Sequence, residues 1–373
     1  MGLIRLLLAL SVIVAHAGSI FGLDFLGGPM AVQSFFIISG FYMSLVLNEK
    51  YIGAHKSYTL FLSNRLLRLF PIYWVVLLLT ILLVTFAIGY DPKVEFESGL
   101  QYCVAYFGQM SWGSLAFLIF TNIFLIGQDM VMFLGLDIHT GHLFFTADFW
   151  KTSPPLYKFL LLPQAWTIGI EITFYLIAPF IVRRKPIVIL ALIFLSIAIR
   201  ILLIRSGLAS DPWTYRFFPS VLVFFLLGNL SYHIYKRIEN APLNVGIPIS
   251  ITLLVLLFSM FFHQITIPHR EGLFFIVFFL AVPFIFKQSR HSRIDAALGN
   301  LSYPVYICHS LIGLSLGRMT GLTRILGGGL TVAIGAIGFA LILNKVIGEP
   351  IERIRQRRVY RGIGQLVKSL RSE

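Results

Sequence analysis

Apolar runs of membrane-helix length recur along almost the whole chain, near residues 3–20, 30–47, 69–89, 160–182, 186–205, 215–235, 243–262, 272–287, 297–317 and 326–347. About twenty apolar residues carry a helix across the hydrocarbon of a bilayer. The pattern therefore predicts an all-α, polytopic transmembrane helical bundle of about ten spans. Residues 100–127 hold enough aromatic and apolar side chains for a further helix. An eleventh crossing there would carry Arg183, Arg184 and Lys185 to the outer side, so a re-entrant or interfacial segment is expected instead.

The basic residues follow the connections. Lys50, Lys56, Arg65 and Arg68 follow the second run, Arg183 to Lys185 the fourth, and Lys236 and Arg237 the sixth. Lys287, Arg290 and Arg293 follow the eighth, and a tail from Arg353 to Arg371 follows the tenth. The positive-inside rule then places both termini in the cytoplasm. Residues 1–350 read as one membrane domain, and 351–373 as a basic cytoplasmic tail able to form an amphipathic helix on the inner leaflet. The largest extracytoplasmic element is then 90–159, with Asp91, Glu95, Glu97, Asp129, Asp137, His139, His142 and Asp148 available to polar ligands. The start of the chain lacks a basic region and a small-residue cleavage site, so residues 1–20 are expected to be a retained helix.

Composition narrows the class. The 373 residues are 57% apolar and 12% charged, with a mean hydropathy of +0.85, which excludes a soluble fold. A formal charge of +14 raises the question of nucleic acid. The basic residues nevertheless sit in short clusters between apolar runs, without a basic face interleaved with aromatics, and no nucleic-acid partner is expected. Two cysteines, Cys103 and Cys308, both in apolar surroundings, support neither a disulfide framework nor a metal site.

Titratable groups inside a bilayer are costly and mark sites of function by default. The first span holds Arg5 and His16. Eleven residues turn a helix through about 1,100°, within roughly 20° of three full turns, so the two share a face about 16 Å apart along the axis. Arg5 falls near the cytoplasmic interface and His16 in the outer half. Lipid anchoring for Arg5 and hydrogen-bonded packing for His16 are the alternatives. Glu171 sits mid-span in the fourth run, following Trp166 and preceding Tyr175; it orients a histidine, holds an arginine or is neutral and structural. In the ninth run Ser302, Tyr306 and His309 share a stripe beside Tyr303, and His309 reads either as a substrate or proton ligand or as packing. Ser39 can donate to a buried ligand, whereas Gly40 reads as a close helix approach. Arg65 and Arg68, three residues apart and followed by Pro71, suit a phosphate-bearing ligand or a lipid headgroup.

Taken in order, these elements are Arg5 and His16 with ten residues between them, Phe35-Phe36 with Ser39-Gly40, Arg65 and Arg68 with Pro71, Trp166 to Glu171 with Phe174-Tyr175, and Ser302-Tyr303 through His309. The chain thereby resembles the integral-membrane acyltransferases of family 3, which O-acylate bacterial surface and exported polysaccharides. The resemblance implies that His16 is catalytic, that cytoplasmic acetyl-CoA is the usual donor substrate, and that Arg5, Arg65 and Arg68 engage it. No tightly bound cofactor is expected. Nothing in the sequence resembles the additional soluble esterase-like domain of some relatives.

On this reading CoA phosphates dock at Arg5, Arg65 and Arg68, with Ser39 also on the donor side. A carbohydrate hydroxyl enters from outside, and Trp166, Tyr175, Tyr303, Tyr306 and His309 line an acceptor or structural pocket. His16 acts as general base, with Glu171 orienting it, or as nucleophile through an acyl-imidazole. The competing classes are a proton-coupled transporter or flippase of a glycan or small polar solute, and a non-catalytic scaffold. The sequence is silent on the acceptor and on the oligomeric state.

Overall fold

The computed structural model describes residues 1–51, 57–91, 98–316 and 320–369. Lys56, Glu95 and Glu97 lie outside them. The chain is an all-α helical membrane protein whose helices, in order, are α1 (Gly2–Ala17), α2 (Gly28–Glu49), α3 (Ser57–Tyr90), α4 (Gly99–Tyr106), α5 (Trp112–Phe124), α6 (Trp166–Ile181) and α7 (Pro186–Arg205). They continue with α8 (Phe218–Ile238), α9 (Gly246–Met260), α10 (Arg270–Ser289), α11 (Arg293–Leu316), α12 (Thr320–Leu326), α13 (Gly328–Leu343) and α14 (Glu349–Ser369).

A helix lies at each of the ten apolar runs. Seven helices among the described residues are long and apolar enough to cross a bilayer. The other three runs coincide with the shorter α1 and α9 and with the more polar α11. The stretch 100–127 folds as α4 and α5, of 8 and 13 residues, neither of spanning length. Large apolar side chains such as Ile187, Phe194, Leu195 and Leu202 of α7 face outward, as expected of helices solvated by lipid.

Two compact units form. The first comprises Met1–Ile72, Tyr175–Ile193 and Val223–Glu373. Here α1 packs against α2, α11 and α13, and α10 against α9 and α2. Glycine sets the closest approach. A Cβ on Gly40 would lie 1.9 Å from the Phe225 carbonyl oxygen, and one on Gly228 2.0 Å from that of Ile37, so α2 and α8 touch backbone to backbone. Phe36 stacks on Phe225 at 4.7 Å beside this contact.

The second unit comprises Tyr73–Phe174 and Phe194–Leu222. Its end of α3 holds α5 through Trp74 Nε1, which donates to the Ile123 carbonyl at 2.9 Å, and through the Tyr73 hydroxyl, which donates to the carbonyl of Asn122. A short hairpin pairs β1 (Leu134–Leu136) with β2 (Leu143–Phe145).

Candidate active site

The site begins with the pairing of α1 and α11. At one end, the N–H groups of Gly2 and Leu3 donate to the Asp295 carboxylate at 2.8 and 3.0 Å, which caps the start of α1 from another helix. Although burial pushes the Asp295 carboxyl up, these amides hold it below its ordinary value. Fourteen residues further along each helix, His16 meets His309. The sequence offset is the same at both ends, so the helices run parallel and in register. Close contact rests on Gly2, where a Cβ would fall 1.6 Å from the Asp295 carbonyl oxygen, and on Gly299 opposite it.

The histidine pair has a definite proton arrangement. His309 is 2% exposed, and its Nδ1 lies 2.6 Å from the Tyr306 carbonyl oxygen. A carbonyl only accepts, so Nδ1 of His309 carries the proton and its Nε2 presents a lone pair. That Nε2 lies 3.1 Å from Nδ1 of His16, and Ser310 Oγ stands 3.4 Å from it on another side. His16 must therefore donate from Nδ1, and in its neutral form Nε2 is the basic nitrogen. The rings lie 5.1 Å apart with planes 11° from parallel. His309 thus takes the acceptor position at Nδ1 of His16, the orienting job that the sequence reading gave to Glu171. His16 itself is exposed, at the end of α1 where α13 begins.

Toward the other end of the same helix pair lies a cavity of 690 Å³ whose wall includes Arg5, Tyr42, Arg65, Arg68, Asn300 and Tyr303. The Arg5 guanidinium stands 6.0 Å from the centre of the Tyr42 ring, and that of Arg65 5.8 Å from Phe61. The Tyr303 hydroxyl donates to the Leu69 carbonyl at 2.7 Å, joining α11 to α3. Pro71 and Pro304 also line the cavity, and each lacks the N–H that an ordinary helix residue would donate to the carbonyl four places earlier. The expected grouping of Arg5 with Arg65 and Arg68 is thus present. Tyr303 joins that cationic wall, while Tyr306 packs edge-on to Phe35 and close to His309.

The remaining expected residues lie elsewhere. Ser39 is buried in α2 outside the cavity wall. Tyr175 is buried edge-on to Phe61. Trp166 and Glu171 belong to the second unit. There Arg216 sits 4.2 Å above the Trp166 ring and donates to both Asp211 oxygens, at 2.7 and 2.9 Å.

Of the polar residues of 90–159, Asp137 and Asp148 are hydrogen-bonded within local structure. The Asp137 carboxylate accepts from the His139 N–H and the Thr140 hydroxyl, closing the hairpin turn. Those same bonds hold its pKa below the ordinary carboxylate value. Asp148 caps a short 3-10 turn and pairs with Lys151 at 3.2 Å. Asp129 is the exception in its chemistry, since burial pushes its carboxyl up to about 6.

Residues 1–345 match the family model described as an acyltransferase domain. The chain belongs to this acyltransferase family. No curated protein and no solved structure matches it. The membrane acyltransferase therefore carries its family-matched region through α13, while α14 lies beyond it.

Sequence reasoning missed two features of this acyltransferase. His309 reads from the sequence as a substrate or proton ligand or as packing, and only its stripe with Tyr306 hints at more. Arg353 and Arg355 read from the sequence as part of an amphipathic tail on the inner leaflet, and they line the same cavity as Arg5, Arg65 and Arg68.

Proposed function

We propose that this enzyme moves an acyl group, acetyl in the simplest case, from cytoplasmic acyl-CoA to a hydroxyl of an extracytoplasmic or membrane-associated carbohydrate. It does so in a bacterial cytoplasmic membrane with both termini inside. The observation that carries the reading is the His16–His309 pair set on the same two helices as an arginine-lined cavity. CoA phosphates occupy the cavity beside Arg5, Arg65 and Arg68. The pantetheine arm then follows α1, whose rise of about 16 Å separates Arg5 from His16.

Neutral His16 takes the hydroxyl proton on Nε2 as the acceptor oxygen attacks the thioester carbonyl. The tetrahedral intermediate collapses with cleavage of the C–S bond, and the imidazolium returns its proton to the departing thiolate. The products are the ester and free CoA. Throughout, His309 is a positioning residue that holds Nδ1–H of His16 and stabilises the imidazolium. Mass spectrometry of surface polysaccharide from cells carrying the wild-type gene, no gene, or His16→Ala tests the reading. One acyl mass per modified sugar is expected with the wild type alone; identical spectra from all three would overturn it.

A further inference from the structure

The strongest observation outside the assigned residues is the way α14 closes over the cavity wall. Its side chains do not simply point to lipid. Arg355 Nε donates to the Asn64 carbonyl at 2.8 Å, and Arg358 donates to Ser63 Oγ at 2.9 Å, so two successive turns of α14 are bonded to α3. The Glu352 carboxylate accepts from Arg355 and, at 3.2 Å, from Gln356, which holds the Arg355 fork in place. Arg353 and Arg355 then border the same space as Arg5, Arg65 and Arg68.

The charge balance of that space is uneven. Seven basic side chains face three acidic ones. Of the acids, Asp295 is committed to the N-terminal ammonium and the amides of Gly2 and Leu3, and Glu352 to Arg355; of the bases, Arg290 is paired with Glu239 outside the cavity wall, which leaves Arg5, Lys50, Arg65, Arg68 and Arg353 facing Glu349. Arg355 lies in the repulsive field of both Arg68 and Arg65. Guanidiniums whose fields overlap in partly dehydrated surroundings are stabilised by an anion placed between them. A diphosphate together with a phosphomonoester brings about four negative charges at neutral pH.

We infer that Arg353 and Arg355 of α14, beyond the family-matched region, form the second half of a polyphosphate site and grip the phosphates of the donor opposite Arg5, Arg65 and Arg68. The inference rests on the acyl-CoA reading. It makes α14 part of donor recognition: the enzyme selects a phosphate-bearing thioester over a bare pantetheine thioester through a helix that the sequence presents as a membrane-surface tail. The phosphate could come from a soluble donor or from a lipid headgroup, and the experiment separates the two.

The full-length enzyme, purified in lipid-free neutral detergent, is titrated with CoA and with CoA lacking its 3′-phosphate. Wild type is compared with Arg353→Ala, Arg355→Gln and the charge-keeping Arg353→Lys and Arg355→Lys. Loss of one charge-assisted pair predicts about a tenfold or greater loss of CoA affinity for each neutral variant. The lysine variants are expected between the two, and they carry the test if a neutral variant fails to fold. The preference for acetyl-CoA over S-acetylpantetheine, measured as a ratio of kcat/KM values, is expected to fall about tenfold, a change that general destabilisation does not produce. CoA binding by the variants at wild-type strength overturns the inference and leaves the acyl-CoA reading standing. So does a difference confined to retention of added phosphatidylglycerol, which assigns the arginines to lipid. A wild-type enzyme that binds no CoA overturns both.

Discussion

Replacing His309 separates its positioning role from the chemistry of His16. His309→Ala removes the acceptor that lies 3.1 Å from Nδ1 of His16 and is itself fixed by the Tyr306 carbonyl at 2.6 Å. A neutral hydrogen bond of this kind contributes about 0.5–1.5 kcal/mol net. Its loss lets the imidazole rotate and exchange tautomers, so the fraction with a basic Nε2 aimed at the acceptor falls about two- to twelvefold. The imidazolium of the transition state loses the same partner, and charge-assisted bonds are worth roughly twice as much. Together these predict a fall in kcat of about 10- to 100-fold. The KM for acyl-CoA should not move, because the arginine cavity lies toward the other end of α1. His309→Gln, whose amide oxygen is an acceptor at nearly the same reach, should recover about half of the logarithmic loss. The assay is steady-state transfer from labelled acetyl-CoA by protein in nanodiscs, with melting temperatures recorded alongside. Wild-type kcat in His309→Ala would refute the tautomer argument. So would a glutamine variant as slow as alanine in a protein of unchanged stability.

Other expectations follow from particular contacts. Arg68→Lys keeps the charge in the cavity but loses the planar fork, so KM for acyl-CoA should rise about tenfold with kcat nearly unchanged; a kcat defect without a KM change would argue against phosphate binding. Gly40→Ala drives a methyl to 1.9 Å from the Phe225 carbonyl oxygen and should destabilise the first unit by about 2 kcal/mol or more, read as a lower melting temperature in detergent. Burial lifts the Asp129 carboxyl to about 6, so the folded state holds its proton over a range where the unfolded chain has released it. Stability should therefore fall as pH rises from about 4 to 6, by at most about 3 kcal/mol, and level off above. Melting curves of Asp129→Asn should lack that component, and curves that stay parallel to wild type would contradict it.

The helices were legible because length and apolarity alone decide whether a segment can cross a bilayer, and each of the ten runs has its helix. The face shared by Arg5 and His16 was legible from the helical repeat, and it aligns with α11 because a constant offset joins Gly2 to Asp295 and His16 to His309. That offset is tertiary, and no local pattern around His309 marks it as the partner of a residue near the start of the chain. Arg353 and Arg355 were obscured for a related reason. An arginine-rich amphipathic helix has the same sequence whether it rests on phosphate headgroups or folds over a phosphate-binding cavity, and only the bonds to Asn64 and Ser63 distinguish the two. The Asp137 and Asp148 carboxylates looked available because turn and cap hydrogen bonds depend on backbone dihedrals that composition does not reveal.

The most direct measurement is transfer of label by purified enzyme in nanodiscs, given radiolabelled acetyl-CoA and a bacterial polysaccharide fraction, with wild type and His16→Ala side by side. A base of this kind contributes about 10²–10⁴-fold, so label should pass to the glycan with wild type and fall by at least about a hundredfold with the variant, while CoA binding and melting temperature hold. Equal transfer by His16→Ala would contradict the assigned chemistry.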